Sequence, residues 1–277
     1  MPSDSQRSPS ALGDPRAAFD LTDRVAVVTG AASGIGRAAS VLFAQSGADV
    51  VIADLDPDGL GETASMIEET GRAVVPVVMN VAKRAEVEAL VETALDRFGR
   101  IDVMANVAGI IRNALFVDVN EDELDEVIAI NQKGVFFGCQ AAARAMATRG
   151  GGSIINIASA GMDSPAPGIS VYAMTKAAVA MMTRSLAFEM GPDGIRVNTV
   201  APGFTDTGMT QRHWKDGDGN VDAPAREAIW DQMSSRVPLG TIGQPEDIAY
   251  AMLYLACDAS RFVTGQVIRP NGGVAMI

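Results

Sequence analysis

Short runs rich in valine and isoleucine alternate with longer helix-like stretches along most of this 277-residue chain. Such runs are typical of strands that are buried on both faces of a parallel sheet. Repeated strand–helix–strand units with right-handed crossovers give a doubly wound sheet with helices on both faces. The alternation therefore predicts an α/β fold of this kind. The predicted strands are Val25–Thr29, Asp49–Ala53, Ala73–Val78, Ile101–Ala105, Ser153–Ile157, Ile195–Val200 and Gln266–Ile268.

The stretches between the predicted strands have helical periodicity. In Lys83–Phe98, apolar residues recur at i, i+3, i+4, i+7 and i+8 and so form one stripe. Further helices are predicted from about Arg37, over Val171–Met190 and over Pro245–Cys257. Neither a linker nor a repeat of fixed period interrupts the pattern. We therefore predict that residues 20–277 form one domain.

The charge and the N-terminal composition limit the possible partners and compartments. With 22 Lys and Arg against 34 Asp and Glu, the net charge is −12, so no surplus of cations can neutralise phosphates. Neither nucleic acid nor an anionic membrane is therefore an expected partner. Residues 1–19 are rich in Ser, Pro and Asp and contain no apolar run, which predicts a flexible tail and no signal peptide. Because no run of 18 uncharged apolar residues occurs, we expect a cytoplasmic protein without membrane spans.

Cysteine and histidine are too scarce for a metal site or a disulfide framework. Cys139 and Cys257 are far apart in the sequence, and His213 is the single histidine. Isolated cysteines of this kind are usually small buried apolar residues. We therefore expect no metal.

A glycine-rich turn follows the first predicted strand. It runs from Gly30 to Gly36 with the sequence Gly-Ala-Ala-Ser-Gly-Ile-Gly, and a helix is predicted just after it. Glycines let the backbone come close to a pyrophosphate, and a helix N terminus points free N–H groups and the positive end of its dipole at it. The spacing is G-x-x-x-G-x-G, which differs from the general G-x-G-x-x-G. The turn predicts a dinucleotide site of the Rossmann type.

The second predicted strand leads into Asp54, 18 residues after the last glycine of the turn. An acidic side chain at this place can accept hydrogen bonds from both ribose hydroxyls and repels a 2′-phosphate. Neither Ser33 nor Leu55 offers a cation to offset that repulsion, so the sequence predicts NAD(H) as the cofactor. The alternative is that Asp54 caps the next helix, although Asp56 can take that role.

Tyr172 and Lys176 are four residues apart at the start of a predicted helix, so both project from one face. An ammonium group beside a phenol stabilises the phenolate and lowers the tyrosine pKa from its reference value of about 10. Ser159 comes just after a predicted strand, where ligands bind in open parallel sheets. A Y-x-x-x-K pair is common by itself, but its combination with this serine predicts a site for proton transfer.

These residues belong to a longer series of motifs. In chain order they are T-G-x-x-x-G-x-G at Thr29–Gly36, N-x-A-G at Asn106–Gly109, Asn131, Ser159, Y-x-x-x-K at Tyr172–Lys176 and P-G at Pro202–Gly203. The series resembles the short-chain dehydrogenase/reductase family over about residues 21–273. Ser159 lies 13 residues before Tyr172, which is the family's usual interval. The resemblance implies a Rossmann fold, a nicotinamide cofactor and hydride transfer.

The resemblance implies a role for each matching residue. It makes Tyr172 the acid/base that exchanges the substrate's hydroxyl proton, and Lys176 the group that lowers the tyrosine pKa and binds the nicotinamide ribose. It makes Ser159 a hydrogen-bond donor to the substrate oxygen, and Asn131 the holder of a water that links Lys176 to solvent. Asn106 and Gly109 are expected to close the adenosine side of the cleft. The full set of expected cofactor contacts is Gly30, Ser33, Gly34, Ile35, Gly36, Asp54, Asn80, Val81, Asn106, Ala108, Gly109, Tyr172, Lys176, Pro202, Gly203, Thr205 and Thr207.

The chain departs from the family's common pattern at three places. Val107 replaces the second Asn of N-N-A-G, and Asn80 replaces an Asp that commonly contacts adenine. An amide can make similar hydrogen bonds, so Asn80 stays an expected contact. Near the end, residues 270–273 (Pro-Asn-Gly-Gly) stand in place of the usual D-G-G, which concerns C-terminal packing only.

The family also carries a substrate lid at the place of residues 208–236, which here contain His213, Trp214 and Trp230. The alternative for this segment is a variable surface loop with a packed tryptophan. The helix predicted to carry Tyr172 is apolar on more than one side, so it must be covered on both. Sheet packing alone could cover it; the resemblance instead implies helix pairing in a homotetramer or homodimer.

The sequence thus predicts an NAD(H)-dependent oxidoreductase that transfers a hydride between nicotinamide and a small secondary alcohol or ketone. Its alternative within the family is a 3-oxoacyl thioester reductase that acts on acyl carrier protein. An alternative from another class is a dinucleotide-binding regulator without turnover. Since all four catalytic positions are filled, the enzyme is favoured over the regulator.

Overall fold

The computed structural model describes residues 14–211, 213–215 and 220–277. Its strands form one sheet in the order β3-β2-β1-β4-β5-β6-β7, and all six strand pairings are parallel. The strands are β1 Val25–Thr29, β2 Asp49–Asp54, β3 Val74–Val78, β4 Val103–Asn106, β5 Gly152–Ile157, β6 Ile195–Val200 and β7 Val267–Ile268. The predicted single doubly wound α/β sheet is confirmed.

Helices cover both faces of the sheet, as predicted. They are α1 Gly34–Gln45, α2 Pro57–Glu68, α3 Arg84–Phe98, α4 Glu121–Ile128, α5 Val135–Ala147, α6 Ser170–Met190, α7 Gly208–Gln211, α8 Ala223–Ser234 and α9 Pro245–Ala256. Helices α1, α2 and α9 share one apolar core with the sheet, and α3, α5 and α6 share the other. Successive residues of β1 alternate between the two cores, because side chains of a strand point to opposite faces. None of the described helices is long and apolar enough to cross a bilayer.

Two sequence-based expectations about elements are wrong in detail. Helix α1 begins at Gly34 and not near Arg37, because the N–H of Arg37 already bonds the carbonyl oxygen of Ser33 at 3.1 Å. Strand β3 is not buried on both faces: it is the edge strand, and Val78 is 59% exposed. Pro76 fits that position, since proline is tolerated on sheet edges, where no partner needs its N–H.

Part of the predicted N-terminal tail has regular structure. Pro15–Phe19 form one 3₁₀ turn, and the Asp14 carboxylate caps it by accepting a hydrogen bond from the N–H of Arg16 at 2.9 Å. Residues 1–13 of the predicted tail lie outside the described residues. The flexibility of residues 1–19 stays a prediction.

The order of the strands changes sides at β1: β2 and β3 lie on one side of it, and β4 to β7 lie on the other. In open α/β sheets, ligands bind in the crevice at the carboxyl ends of the strands next to such a reversal. Thr29 connects the carboxyl ends of β1 and β4, because its Oγ1 accepts the N–H groups of Val107 at 3.1 Å and Ala108 at 3.3 Å. The fold therefore places the glycine-rich turn and the N-x-A-G segment side by side at this crevice.

A chain of buried hydrogen bonds crosses the sheet beneath this cleft. The Asn106 amide donates to Oδ1 of Asn156 at 2.8 Å, and the Asn156 amide donates to Oγ1 of Thr183 at 2.9 Å. The hydroxyl of Thr199 then bonds that of Thr183 at 2.9 Å. All four side chains are buried. We call Asn106, Asn156, Thr183 and Thr199 the buried polar chain; it connects β4, β5 and β6 with α6.

Candidate active site

The glycine-rich turn has the close backbone packing that a dinucleotide cradle requires. Gly30 has φ +70°, and a Cβ there would lie 2.7 Å from Cα of Ala108. A Cβ at Gly36 would overlap the carbonyl oxygen of Gly30. Neither position can hold a side chain without moving the backbone. Helix α1, which begins inside this turn, points its N terminus into the cleft, so the turn fits a bound pyrophosphate.

Asp54 ends β2 directly beside this turn. Its Oδ2 accepts the N–H of Ala32 at 3.0 Å, and its Oδ1 accepts that of Leu55 at 2.7 Å. The N-cap of α2 is Asp56, whose carboxylate accepts the N–H of Asp58 at 3.1 Å. The alternative in which Asp54 caps α2 is therefore wrong. These two bonds hold the Asp54 carboxylate beside the glycine-rich turn.

One cation that sequence reasoning did not consider contacts the same turn as Asp54. The Arg37 guanidinium donates to the carbonyl oxygens of Ala32 and Gly59 and to Oγ1 of Thr63, and it pairs with Glu62 at 2.7 Å. These contacts engage Nε and Nη2 of the guanidinium within α1, α2 and the turn. The Glu62 carboxylate offsets the charge of Arg37, which weakens any attraction to a 2′-phosphate.

Asn80 and Val81 follow β3 on the same edge of the sheet. Oδ1 of Asn80 accepts the N–H of Ala82 at 2.9 Å, while its backbone N–H donates to Glu86 at 2.7 Å. Val81 packs on Gly134, where a Cβ would lie 3.0 Å from the Val81 side chain. The structure therefore fixes both residues at the side of the cleft that includes Asp54.

The N-x-A-G segment is oriented differently from the expectation. The Asn106 side chain does not face the cleft; it is 3% exposed and begins the buried polar chain. Gly109 does not border the adenosine side, since a Cβ there would lie 3.2 Å from Oδ1 of Asn131 and 3.3 Å from Nζ of Lys176. Of this segment, Val107, Ala108 and Gly109 are partly exposed, whereas the Asn106 side chain is buried.

Tyr172, Lys176 and Ser159 come together at the carboxyl ends of the central strands. The Lys176 side chain is 2% exposed, and its Nζ donates to the carbonyl oxygen of Ile157 at 2.9 Å and lies 5.6 Å from the centre of the Tyr172 ring. Burial lowers the pKa of Lys176 to about 8. Oγ of Ser159 accepts the N–H of Gly161 at 3.0 Å. A Cβ at Gly161 would lie 3.4 Å from that oxygen and 3.8 Å from Cε1 of Tyr172.

Asn131 sits in a π-helical turn, Ala129–Gly134, between α4 and α5. Such single turns are frequent at functional sites. Its Oδ1 accepts the N–H of Ile110 at 2.8 Å, and its amide donates to the carbonyl oxygen of Ile110 at 2.8 Å and to Oγ1 of Thr175 at 3.3 Å. Asn131 thus links the residue after Gly109 to the residue before Lys176.

The segment after β6 closes the opposite wall of the cleft. A Cβ at Gly34 would lie 3.3 Å from Cβ of Thr207, so this segment reaches the glycine-rich turn. A Cβ at Gly203 would lie 2.8 Å from Cα of Asn271, and Oγ1 of Thr205 donates to the carbonyl oxygen of Gly203 at 3.1 Å. The carbonyl oxygen of Pro202 accepts the N–H of Ala160. The segment after β6 therefore lies beside the glycine-rich turn, although the two are about 170 residues apart in the sequence.

The predicted lid consists of α7, α8 and their connection. Trp214 is buried, as the loop alternative expected, and His213 is exposed. Arg226 stacks over the Trp230 ring at 4.8 Å and lies 3.8 Å from the Asp206 carboxylate. Residues 212 and 216–219 of the predicted lid lie outside the described residues. The covering role of residues 208–236 stays a prediction.

Sequence reasoning missed several residues that shape the site. Thr29 was visible within the first motif, and Thr175 within Y-x-x-x-K, but neither was singled out. The ion pair of Asp163 with Arg269 had no sequence signal, because its partners are 106 residues apart. Within the described residues, no group of three or more His, Cys, Asp or Glu side chains is placed to hold a metal ion.

Comparison with known proteins agrees with this geometry. The family model described as enoyl-(acyl carrier protein) reductase matches residues 30–275. A 3-oxoacyl-[acyl-carrier-protein] reductase, FabG, of Thermotoga maritima is 41% identical over 256 residues, which are 92% of this chain and 99% of that protein. An L-2,3-butanediol dehydrogenase of Corynebacterium glutamicum is 36% identical, with 91% and 98% covered.

A solved structure shows the same fold over nearly the whole chain. It is a gluconate 5-dehydrogenase from Burkholderia cenocepacia in complex with NADP and tartrate, with a TM-score of 0.85 and 34% identity. The match covers 94% of this chain and 98% of the other. With the fold, the glycine-rich turn and the Ser–Tyr–Lys arrangement described above, these matches show that the chain belongs to the short-chain dehydrogenase/reductase family of oxidoreductases.

Proposed function

We propose that the protein is an NAD(H)-dependent oxidoreductase that interconverts a small secondary alcohol and its ketone. The observation that carries the proposal is the convergence of Tyr172, Lys176 and Ser159 beside the glycine-rich turn. When bound, nicotinamide would supply the hydride for ketone reduction or accept it for alcohol oxidation. The chain's own task is then to handle the proton and the charge on the substrate oxygen.

Each of these three side chains suits one part of that task. In reduction, the Tyr172 hydroxyl gives its proton to the oxygen that the hydride leaves negative. The Ser159 oxygen accepts the N–H of Gly161, and the hydroxyl proton is left to donate a hydrogen bond to the same substrate oxygen. Lys176, with a pKa of about 8, carries a positive charge at pH 7 and stabilises the phenolate that remains. Alcohol oxidation reverses these steps.

Asn131 acts in this proposal on the position of Lys176. Its carboxamide bonds both the N–H and the carbonyl oxygen of Ile110 and donates to Oγ1 of Thr175, so it fixes the two segments that adjoin Lys176. A water bound beside Asn131 would carry protons between Lys176 and solvent. Such a relay would restore the proton on Tyr172 after each reduction.

The preference for NAD(H) rests on the charges around the adenosine ribose. The Asp54 carboxylate lies at the turn, and Arg37 is engaged by Glu62 and backbone oxygens. A 2′-phosphate would therefore meet a negative charge without a free compensating cation among these residues. The family also includes enzymes that bind NADP, such as the Burkholderia relative. The preference is thus a property of this chain's own residues.

The experiment that tests the activity is a screen of small ketones and secondary alcohols with NADH or NAD⁺. The readout is the absorbance of reduced nicotinamide. We expect turnover in both directions with at least one alcohol–ketone pair. A protein that binds NADH but turns over no member of the panel, nor any 3-oxoacyl thioester, would instead support the regulator alternative.

The second candidate, a 3-oxoacyl thioester reductase, is favoured by the name of the Thermotoga relative. An enzyme that docks an acidic acyl carrier protein needs a basic patch near its active-site mouth. Here the net charge is −12, and α4 begins with three consecutive acidic residues. One of them, Glu123, lines a small cavity together with Arg112 and with Ser170 and Val171 at the start of α6. Arg212, Arg226 and Arg236 could form a local basic patch, but Arg226 already lies 3.8 Å from Asp206, and Arg212 lies outside the described residues. We therefore place the free ketone first.

We expect a short-thiol ester of a 3-oxoacyl group to have a higher kcat/KM than the same group on acyl carrier protein. Long-range repulsion slows the encounter of two acidic proteins, and salt screens that repulsion. Steady-state assays at low and high salt compare the two substrates. A preference for the carrier-bound form that weakens as salt rises would show a basic docking patch and contradict the prediction.

We also propose a homotetramer or homodimer built through α6. Three large apolar side chains of this helix, Met174, Met181 and Phe188, are exposed at intervals of seven residues and form one stripe, with Phe136 of α5 also exposed. Exposed stripes of this kind usually mark an interface between protein chains. Cys139 and Cys257 are both free and buried, which agrees with the proposed reducing, cytoplasmic setting.

A further inference from the structure

We propose that Gly161 determines substrate size at the active site. By leaving the space beside Ser159 and Tyr172 empty, it selects ketones and secondary alcohols that carry a branched or cyclic substituent on that side of the carbinol carbon. This inference rests on the proposed function. It adds a specificity-determining residue that neither the glycine-rich turn nor the family motifs include.

The position of Gly161 relative to the catalytic side chains carries the inference. Gly161 belongs to the 3₁₀ turn Ala160–Met162, two residues after Ser159. A Cβ built on it would lie 3.4 Å from Oγ of Ser159, 3.8 Å from Cε1 of Tyr172 and 3.4 Å from Cδ1 of Ile169. The missing methyl group would thus lie against the Ser159 hydroxyl and the Tyr172 ring, the two side chains that the proposed function places at the substrate oxygen.

The backbone itself does not require glycine at this position. The glycines with left-handed φ include Gly30 and Gly34, but Gly161 is not among them. The contacts of the added Cβ are ordinary van der Waals distances and involve side chains only, whereas a Cβ at Gly30 would lie 2.7 Å from backbone atoms. An alanine is therefore compatible with the fold at 161, and what glycine provides there is space.

The loop that carries Gly161 is tied down on both sides. The N–H of Ala160 donates to the carbonyl oxygen of Pro202 at 2.8 Å, and that of Met162 to the carbonyl oxygen of Ser159 at 3.1 Å. The Asp163 carboxylate accepts Nε of Arg269 at 2.7 Å, and both side chains of this ion pair are largely buried. These bonds hold the loop in place, so an added methyl group would stay in the space beside Ser159 and Tyr172.

The test compares Gly161→Ala with Gly61→Ala. Gly61 lies in α2 and a Cβ there meets nothing within 4 Å, so it controls for the added methyl group alone. Each variant is assayed with a methyl ketone of minimal size and with ketones that carry branched or cyclic substituents. A poorly accommodated methylene changes kcat/KM by about 10- to 200-fold. We expect Gly161→Ala to lose about 10-fold or more with the bulky ketones, to change about 2-fold or less with the smallest, and to keep its Kd for NADH.

A second variant separates size from damage to the site. Ile169→Val removes the Cδ1 atom that the added methyl group would contact. The double variant Gly161→Ala with Ile169→Val is expected to recover part of the activity on bulky ketones. Melting temperature and the Kd for NADH check that each variant is folded.

The outcomes distinguish this inference from the proposed function. Equal losses of Gly161→Ala on small and bulky ketones would show that Ser159 was displaced and would overturn the size inference. No loss on any ketone would overturn it too, while wild-type turnover would leave the proposed function in place. A wild-type protein without turnover on any alcohol or ketone would overturn the proposed function and this inference with it.

Discussion

Tyr172→Phe is expected to lower kcat for ketone reduction by about 10²-fold or more while the Kd for NADH stays similar. The variant keeps the ring, which packs beside Lys176, and removes only the hydroxyl that donates the proton. Steady-state kinetics on the best ketone and fluorescence titration of NADH measure the two quantities. Tyr250→Phe, on the exposed side of α9, makes the same chemical change away from the site and serves as the control.

A near-normal rate for Tyr172→Phe on a good substrate would contradict the mechanism. Lys176→Ala provides a second comparison, because this residue would both bind the nicotinamide ribose and stabilise the phenolate. It should therefore weaken NADH binding as well as kcat. If Lys176→Ala changed neither the Kd for NADH nor kcat, the assignment of Lys176 to the active site would be contradicted.

We expect kcat/KM to be about 30- to 1000-fold higher with NADH than with NADPH. The physical reason is the Asp54 carboxylate, which would face the additional phosphate dianion beside the glycine-rich turn. Asp54→Ala should narrow the gap, chiefly because NADH binds less tightly once the acceptor for its ribose hydroxyls is gone. Kinetics with both cofactors at a fixed ketone concentration measure the ratio.

Asp58→Ala is the matched control for this prediction. It removes an exposed carboxylate from the first turn of α2, four residues beyond Asp54, and should leave the ratio unchanged. Equal kcat/KM for the two cofactors in the wild-type protein would refute the assignment. In that case Arg37, which pairs with Glu62 beside the same turn, would be the candidate cation for the 2′-phosphate.

Local patterns were sufficient to predict the order of the strands and helices and the position of the cleft. Two strands, Val25–Thr29 and Ile195–Val200, begin and end where the runs of valine and isoleucine do. The glycine-rich turn and the Y-x-x-x-K pair could be found because their spacing is itself the geometric requirement. Apolar periodicity, however, does not distinguish an edge strand from a central one, so the exposure of β3 was missed.

Contacts between distant segments were beyond the sequence. Nothing in N-x-A-G shows that the Asn106 amide turns into the core to meet Asn156, 50 residues later. The partner of Asp163 is likewise set by where β7 ends, which depends on the whole sheet. The role of Gly161 belongs to the same class, because an absent side chain has meaning only once its neighbours are placed.

The buried polar chain has a consequence for how uniquely α6 is packed. A helix held only by apolar contacts can rotate or slide on a sheet at little cost, since alanine and valine fit many neighbouring positions. Thr183 instead meets hydrogen-bonding partners from β5 and β6 at once, so any other register would leave buried amides and hydroxyls unpaired. The free-energy cost of leaving a buried polar group unpaired exceeds the net stabilisation that its hydrogen bond gives in the native register. The buried polar chain therefore favours one register of α6 on the sheet. In that register the helix holds Tyr172 and Lys176 at the cleft in a single orientation.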